Sequence, residues 1–238
     1  MSTIKINTPP KLDIQRVGNE NTPVLIIDDL VGEVERLREQ GCAHDSFEHD
    51  LGAGYPGVRA VLLNVYSNAV LKELIPTLRD VYRIPDRFKP KVIFELYSLL
   101  TQSPDELSLL QRLPHYDSNR PFYFASVHYL SPGEFAGTGI FRHRPTGFER
   151  ITEHRTSAYI GAAKAHVAEY GMPPAEYINA STDHFELIFE VPYQQNRLVL
   201  YPGCLLHSGL VDPARDINND PTAGRLTANL FIDFDTGY

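Results

Sequence analysis

Leu113-Pro114-His115-Tyr116-Asp117-Ser118 places an imidazole and a carboxylate two residues apart. On an extended strand, side chains at that spacing point to one face. A neutral imidazole nitrogen and a carboxylate oxygen that converge make two donors of a facial site for a divalent transition metal, and iron(II) is the usual occupant. The third donor has to come from elsewhere. Nine histidines in a chain rich in aspartate give an accidental His-x-Asp about an even chance. The surrounding text decides what the pair means.

Downstream of the motif the texture is that of strands. Residues 121–130 are nearly all aromatic or aliphatic, and 137–144, 185–191, 197–201 and 225–234 follow as further strands separated by turn residues. Residues 156–170 read as a helix inserted between strands and closed by Gly171. The polar segment 212–224 reads as a loop. Upstream, 92–100 is a strand, and 69–82 carries Val70, Leu71, Leu74, Leu78 and Val81 on a helical stripe interrupted at Pro76. Val24-Leu25-Ile26-Ile27 is a short apolar strand. Asp28-Asp29 is then expected to cap a helix marked by Leu30, Val34 and Leu37 and ended by Gly41. Residues 1–22 are expected to form an extended arm or a loosely held edge strand. Gly52-Ala53-Gly54-Tyr55-Pro56-Gly57 is glycine-rich but lacks the flanking elements and lysine of a phosphate cradle, and reads as a loop.

Composition narrows the class. A chain of 238 residues fits one domain, 1–238. A net charge of −8 argues against non-specific nucleic-acid or membrane-surface binding, both of which want a basic face, and leaves room only for a local basic cluster. Cys42 and Cys204 stand in no metal-like or redox-like spacing and read as buried free thiols. No leader or membrane-length apolar run stands out, so the expected setting is soluble and cytoplasmic. Residues 142–155 gather Arg142, Arg144, Arg150 and Arg155 with His143 and His154. That cluster reads first as a solvated face, and second as a site for an anionic substrate or partner at a cavity mouth.

Short strands with one helical insertion and early helices make a mainly β protein, a double-sheet sandwich or jelly roll whose core runs from about 92 to 234. A site between its sheets must draw donors from strands distant in sequence, which makes His207 the natural third partner of His115 and Asp117. Arg225 falls on the next strand.

In that order, His115-Tyr116-Asp117, His207 and Arg225-Leu226-Thr227 resemble the Fe(II)/2-oxoglutarate-dependent oxygenases, whose signature is His-x-Asp, a distal His, and a basic residue with a hydroxyl two places on. Val127-His128-Tyr129-Leu130-Ser131 and Phe135-Ala136-Gly137-Thr138-Gly139-Ile140-Phe141 are similar to paired strands of the prolyl-hydroxylase-like branch. Arg225 follows His207 at a longer spacing than is usual there, so 212–224 is expected as an inserted loop.

The resemblance implies a double-stranded β-helix with supporting N-terminal helices and Fe(II) held by His115, Asp117 and His207. It also implies 2-oxoglutarate anchored by Arg225 with Thr227 and Tyr129 nearby, O2 as oxidant, and ascorbate as a supporting reductant. The implied reaction hydroxylates a small-molecule or peptide substrate and releases succinate and CO2. Halogenating relatives lack the carboxylate, so Asp117 favours hydroxylation. A non-catalytic jelly-roll binding module and a cupin-like metalloenzyme that does not use 2-oxoglutarate stay open as alternatives.

Overall fold

The structure, a computed structural model, describes residues 4–49 and 54–236. The chain opens with β1 (Lys11–Val17) and β2 (Thr22–Asp28), then α1 (Val34–Cys42), β3 (Glu48–His49), β4 (Gly57–Val61), α2 (Asn64–Tyr82) and β5 (Lys89–Leu100). Two short 3-10 turns, Pro104–Glu106 and Leu109–Arg112, lead past the motif to β6 (Tyr123–Tyr129) and β7 (Thr138–His143). After α3 (Glu153–Tyr170) come β8 (Phe185–Val191), β9 (Leu198–Pro202), β10 (His207–Gly209), the single turn α4 (Pro213–Asp216) and β11 (Leu226–Asp235). Among the described residues the protein is mainly β. Its strands form two antiparallel sheets, β1-β2-β9-β6-β11-β5-β4-β3 and β10-β7-β8.

The apolar runs explain the layering. Strands buried on both faces lose the alternation of a half-exposed strand. In β2, Leu25 and Ile27 face the helices while Val24 and Ile26 face the smaller sheet, and β9 divides in the same way between Leu198 and Leu200, and Val199 and Tyr201. The helical stripe of α2 (Tyr66, Val70, Leu74, Leu78) and Leu37 of α1 pack on the first face with Leu226, Leu230 and Phe234 of β11. The opposite face meets Ile140 of β7 and Val191 of β8. By contrast α3 buries no residue completely and lies on the outside.

Several sequence expectations are corrected here. Asp28 and Asp29 do not cap α1, which begins at Val34 after Glu33. Asp28 instead receives Arg197 Nε at 2.6 Å, and Asp29 pairs with Lys11. Gly41 lies in the last turn of α1 rather than beyond it, and α2 starts at Asn64 and runs through Pro76. The N-terminal edge strand is firmly held, pairing with β2 from Lys11↔Asp28 to Val17↔Thr22. Of the glycine-rich loop at 52–57, residues 52 and 53 lie outside the described residues and Gly57 opens β4. Both cysteines are free thiols, Cys204 buried as expected and Cys42 only partly so.

One polar node joins the layers. His128 on β6 is fully buried, its Nδ1 accepting from Tyr66 of α2 at 2.9 Å and its Nε2 facing Asn196 Oδ1 at 3.1 Å. Asn196 adopts a left-handed backbone (φ 65°), which asparagine tolerates, and clasps the backbone N–H and carbonyl of Val31. With Tyr66 donating, these partners suit the neutral imidazole with its proton on Nε2. Burial accordingly holds His128 down at about 4, with the Asn196 hydrogen bond opposing. His143 and His207 are also held at about 4, burial being the largest cause in each.

A folded-state value below the unfolded value near 6.5 means that the unfolded chain binds more protons between them, so stability falls as pH drops through that window. Each such histidine contributes a slope of up to about 1.4 kcal/mol per pH unit. Urea unfolding should therefore show a marked loss of stability from pH 7 to pH 5, with a shallower loss in His128→Gln. Equal pH slopes for the two proteins would contradict this account of the node.

Candidate metal centre

The His115–Asp117 segment is not a regular strand. Pro114 and Pro121 bracket it, and proline cannot donate to a ladder. It makes one antiparallel bridge, in which His115 N–H donates to His207 O and His207 N–H to His115 O, both at 2.9 Å. The chain then bends, and Asp117 N–H donates to the Gly203 carbonyl at 2.7 Å. His207 is held from its other side by β10 pairing with Ile140 of β7. Backbone bonds thus fasten the motif directly to the segment that carries the third residue.

The three side chains converge. His115 Nε2 lies 3.8 Å from Asp117 Oδ1, and His207 Nε2 lies 3.6 Å from Asp117 Oδ2. One ligand atom from each of the three lies within 4.8 Å of the other two. Among the described residues this is the group of three or more metal-type side chains that meets such a geometry. Distances of 3.6–3.8 Å are too long for hydrogen bonds. Two donors at right angles, each about 2.1 Å from an ion, are about 3 Å apart, so a small side-chain rotation closes all three on one cation.

Three further observations fit a cation. Asp117 Oδ2 is buried and has no hydrogen-bond partner among the described residues. His207 Nδ1 donates to the Leu205 carbonyl at 2.8 Å, which leaves the Nε2 lone pair aimed at Asp117, the usual way a backbone acceptor orients a metal-binding imidazole. Both imidazoles are lowered. Burial brings His207 to about 4 against the pull of the Leu205 bond, while the protein packed around His115, then neighbouring His207, lowers His115. Burial raises Asp117 despite the opposing influence of His115 and Arg59. Two neutral nitrogen donors and a carboxylate lacking a donor suit a divalent ion with open positions. His115 leaves 52% of its side chain accessible, against 15% for Asp117 and 6% for His207, so the open side is at His115.

The other sequence candidates form a second group on the facing sheet. Thr227 of β11 stands opposite Tyr129 of β6. The Tyr129 hydroxyl is 2.7 Å from Thr138 Oγ1, and Thr227 Oγ1 donates to Asn229 Oδ1 at 2.8 Å. Arg225 is buried, with Nε donating to the Ala136 carbonyl at 2.9 Å and its guanidinium carbon 5.4 Å and 5.8 Å from the rings of Tyr129 and Tyr193. Among the described residues no carboxylate pairs with it. Tyr201 connects the groups. Its ring is 4.5 Å from that of His207, and its phenol is raised by burial and then by Asp117, with Arg225 opposing. The long approach from His207 to Arg225 is folded, not loose, because buried Asp216 accepts from the N–H groups of Ala136 and Asp212.

Sequence reasoning missed Tyr201, Tyr55 and Arg59. Tyr201 was readable only as one residue of a buried strand, and Arg59 required the pairing of β4 with β5 to be known. The reading of 142–155 as an anion site is corrected. Arg142 pairs with Glu149 and Glu186, at 2.6 and 2.8 Å, and Arg150 and Arg155 with Glu20, at 2.8 and 2.6 Å. This is an internally matched ionic network.

A family model described as a family of unknown function, DUF6445, matches residues 8–232. Comparison with curated proteins gives no match. Among solved structures, HygX from Streptomyces hygroscopicus, with nickel and 2-oxoglutarate bound, is similar at 17% identity and a TM-score of 0.46, covering 89% of this chain and 83% of that one. The non-heme alpha ketoglutarate dependent epimerase SnoN from nogalamycin biosynthesis is similar at 13% identity and a TM-score of 0.48, covering 94% and 83%. An N-substituted L-amino acid dioxygenase from Burkholderia ambifaria AMMD gives 14% and 0.42, covering 97% and 94%. At such scores these likenesses carry no weight for the chemistry of this chain.

A ligand at one hundred times its dissociation constant stabilises a folded protein by about 2.7 kcal/mol, or about 5–10 °C in a chain of this size. Nickel(II) or iron(II) under anaerobic conditions should raise the melting temperature by that order, and His207→Ala should abolish the rise. Asp117→Asn removes a buried charge, so it should melt higher than the wild type without metal yet gain nothing from metal. A metal-induced rise that survives in Asp117→Asn would rule out the site.

Proposed function

We propose that this chain, which belongs to the DUF6445 family of unknown function, is a non-haem Fe(II)/2-oxoglutarate-dependent dioxygenase that hydroxylates its substrate and releases succinate and CO2. The observation that carries this reading is the convergence of His115, Asp117 and His207 within 4.8 Å, two neutral imidazoles and one carboxylate with an oxygen that has no donor among the described residues. On this reading the two-layered β architecture is a double-stranded β-helix of the prolyl-hydroxylase-like kind, and the protein works in the cytoplasm with ascorbate as supporting reductant.

Each residue then has a task. His115, Asp117 and His207 would hold the iron as its three protein donors, and the iron would take up 2-oxoglutarate and O2. The bound iron supplies oxidation of an unactivated C–H bond, driven by decarboxylation of 2-oxoglutarate. The Leu205 carbonyl keeps the Nδ1 proton on His207 so that Nε2 stays a donor to metal. Arg225 receives the distal carboxylate of 2-oxoglutarate. Its Nε is engaged by Ala136, which fixes the guanidinium plane, and its terminal nitrogens offer the two-pronged contact that lysine cannot make. The faces of Tyr129 and Tyr193 exclude water from that end, while Thr227 and the Tyr129 hydroxyl border the carboxylate. The open side at His115 admits substrate.

The contacts of Arg225 with the Ala136 and Gly137 carbonyls favour one rival, a cupin-like metalloprotein in which this arginine is structural and 2-oxoglutarate has no place. Calorimetry separates them. The nickel-loaded protein should bind 2-oxoglutarate, and Arg225→Gln should weaken it about 10- to 100-fold, the scale of a charge-assisted two-pronged contact. With iron(II) and O2 the wild type should release succinate even without substrate. Failure of the loaded wild type to bind 2-oxoglutarate would decide for the rival.

A further inference from the structure

Two hydroxyls that the fold leaves without partners lie at the end of β5 where Arg225 stands. Tyr55 belongs to the turn that enters β4, and its carbonyl accepts from Gly57 N–H at 2.9 Å and from Gln111 Nε2 at 3.1 Å. Gly57 stands opposite Leu100 at the end of β5. A Cβ on Gly57 would fall 2.1 Å from the Leu99 carbonyl oxygen, so only glycine lets the turn press this close to β5. The Tyr55 ring packs with Leu100, Tyr177 and Val211, and the Arg59 guanidinium carbon lies 4.5 Å from its centroid. On the other flank of β5, Leu226 stands opposite Leu99, which brings Arg225 to the same end of that strand.

Ser98 of β5 stands opposite Thr227, and Thr227 opposite Tyr129, so Ser98 shares their face. The Tyr55 hydroxyl and Ser98 Oγ are both buried without a hydrogen-bond partner among the described residues. Arg225 is buried as well, and its guanidinium meets the Ala136 and Gly137 carbonyls and the rings of Tyr129 and Tyr193 but no paired carboxylate among the described residues. Buried polar groups are nearly always satisfied, and a buried charge without a counter-ion is costlier still. A carboxylate answers all three at once, because it takes a two-pronged contact from arginine and keeps lone pairs for two hydroxyls.

Packing does not account for the Tyr55 hydroxyl, since a phenylalanine would fill the same space without the cost of burying it. Burial pushes the phenol up to about 12, with Arg225 and then Arg59 opposing, so it stays protonated and able to donate. The carboxylate end is joined to the metal centre by Tyr201, whose phenol feels both Asp117 and Arg225 and whose ring lies 4.5 Å from that of His207.

We infer that Tyr55 is a further cosubstrate-binding residue, its hydroxyl donating to the distal carboxylate of 2-oxoglutarate that Arg225 receives and closing that end of the pocket from the β4 side. This rests on the oxygenase reading and adds to it a residue that lies outside its His-x-Asp, His and Arg-x-Thr pattern.

The test uses the full chain loaded with nickel(II) and calorimetry with two probes: 2-oxoglutarate, and 2-oxopentanoate, which has the same 2-oxo acid end and no distal carboxylate. The wild type should bind 2-oxoglutarate about tenfold or more tightly than 2-oxopentanoate. Tyr55→Phe should weaken 2-oxoglutarate about five- to tenfold, the size of one hydroxyl donated to a carboxylate, and leave 2-oxopentanoate within about twofold. In an Arg225→Gln background the same change should cost less, because both residues act on one group. Thermal unfolding without metal or cosubstrate is the second readout. A hydroxyl with no partner in the fold does not support it, so Tyr55→Phe should melt no lower than the wild type.

Unchanged 2-oxoglutarate affinity in Tyr55→Phe overturns the inference, as does an equal loss for both probes, which would put the hydroxyl at the metal end. An undiminished loss in the Arg225→Gln background, or early melting of Tyr55→Phe, also overturns it, the last by making the hydroxyl structural. A wild type that binds neither probe refutes the oxygenase reading along with this inference. A wild type that binds 2-oxoglutarate through Arg225 yet ignores Tyr55→Phe refutes this inference alone.

Discussion

A buried carboxylate with one oxygen that has no donor among the described residues, set between two imidazoles held neutral, is an unfavourable arrangement for a protein without a cation. Burial raises Asp117 from its ordinary value, while burial lowers both histidines beside it and His207 further lowers His115. Neither shift helps the other group, since a neutral imidazole does little for a carboxylate. A divalent ion resolves both at once, because it needs deprotonated nitrogen and oxygen donors and supplies the missing positive charge. The surrounding structure is arranged to keep this conflict in place. Gly203 and the His115–His207 bridge fix the backbone, Leu205 fixes the His207 tautomer, and Tyr201 closes the floor.

The scaffold does this from a distance. Strands β2 and β9 are apolar on both faces, so the larger sheet is clamped between helices and the smaller sheet, and its inner face keeps a fixed height against β7 and β8. The node of Tyr66, His128 and Asn196 ties α2 and the segment after β2 to β6. Asp216 ties the segment after β10 to Ala136, which in turn holds Arg225. Residues far apart in sequence thereby reach one inner face without lying on a continuous element.

Much of this was legible in the sequence because apolar runs are strong signals. The strands at 185–191 and 197–201 and the mainly β character follow from β-branched and aromatic clusters that have nowhere to go but a two-sided core. His115, Asp117 and His207 were legible through chemistry, as residue types that share a use. The failures have physical causes. Asp28 and Asp29 read as helix caps because a cap and an ion-pair partner look alike until Arg197 and Lys11 are placed. The arginines of 142–155 read as a solvated face, or second as an anion site, because Glu20 is distant in sequence and close in space. The motif read as a strand, yet it needs only one bridge and a bend, since the bond from Asp117 to Gly203 does the aligning. Arg59 left no trace in the text, because its position depends on strand register.

Crystals grown anaerobically with iron(II) and 2-oxoglutarate, measured at the iron edge, test the centre most directly. The account predicts one anomalous peak bound by Nε2 of His115, Nε2 of His207 and a carboxylate oxygen of Asp117, with 2-oxoglutarate reaching from it to Arg225. An iron peak away from these three residues, or none at all, would contradict it.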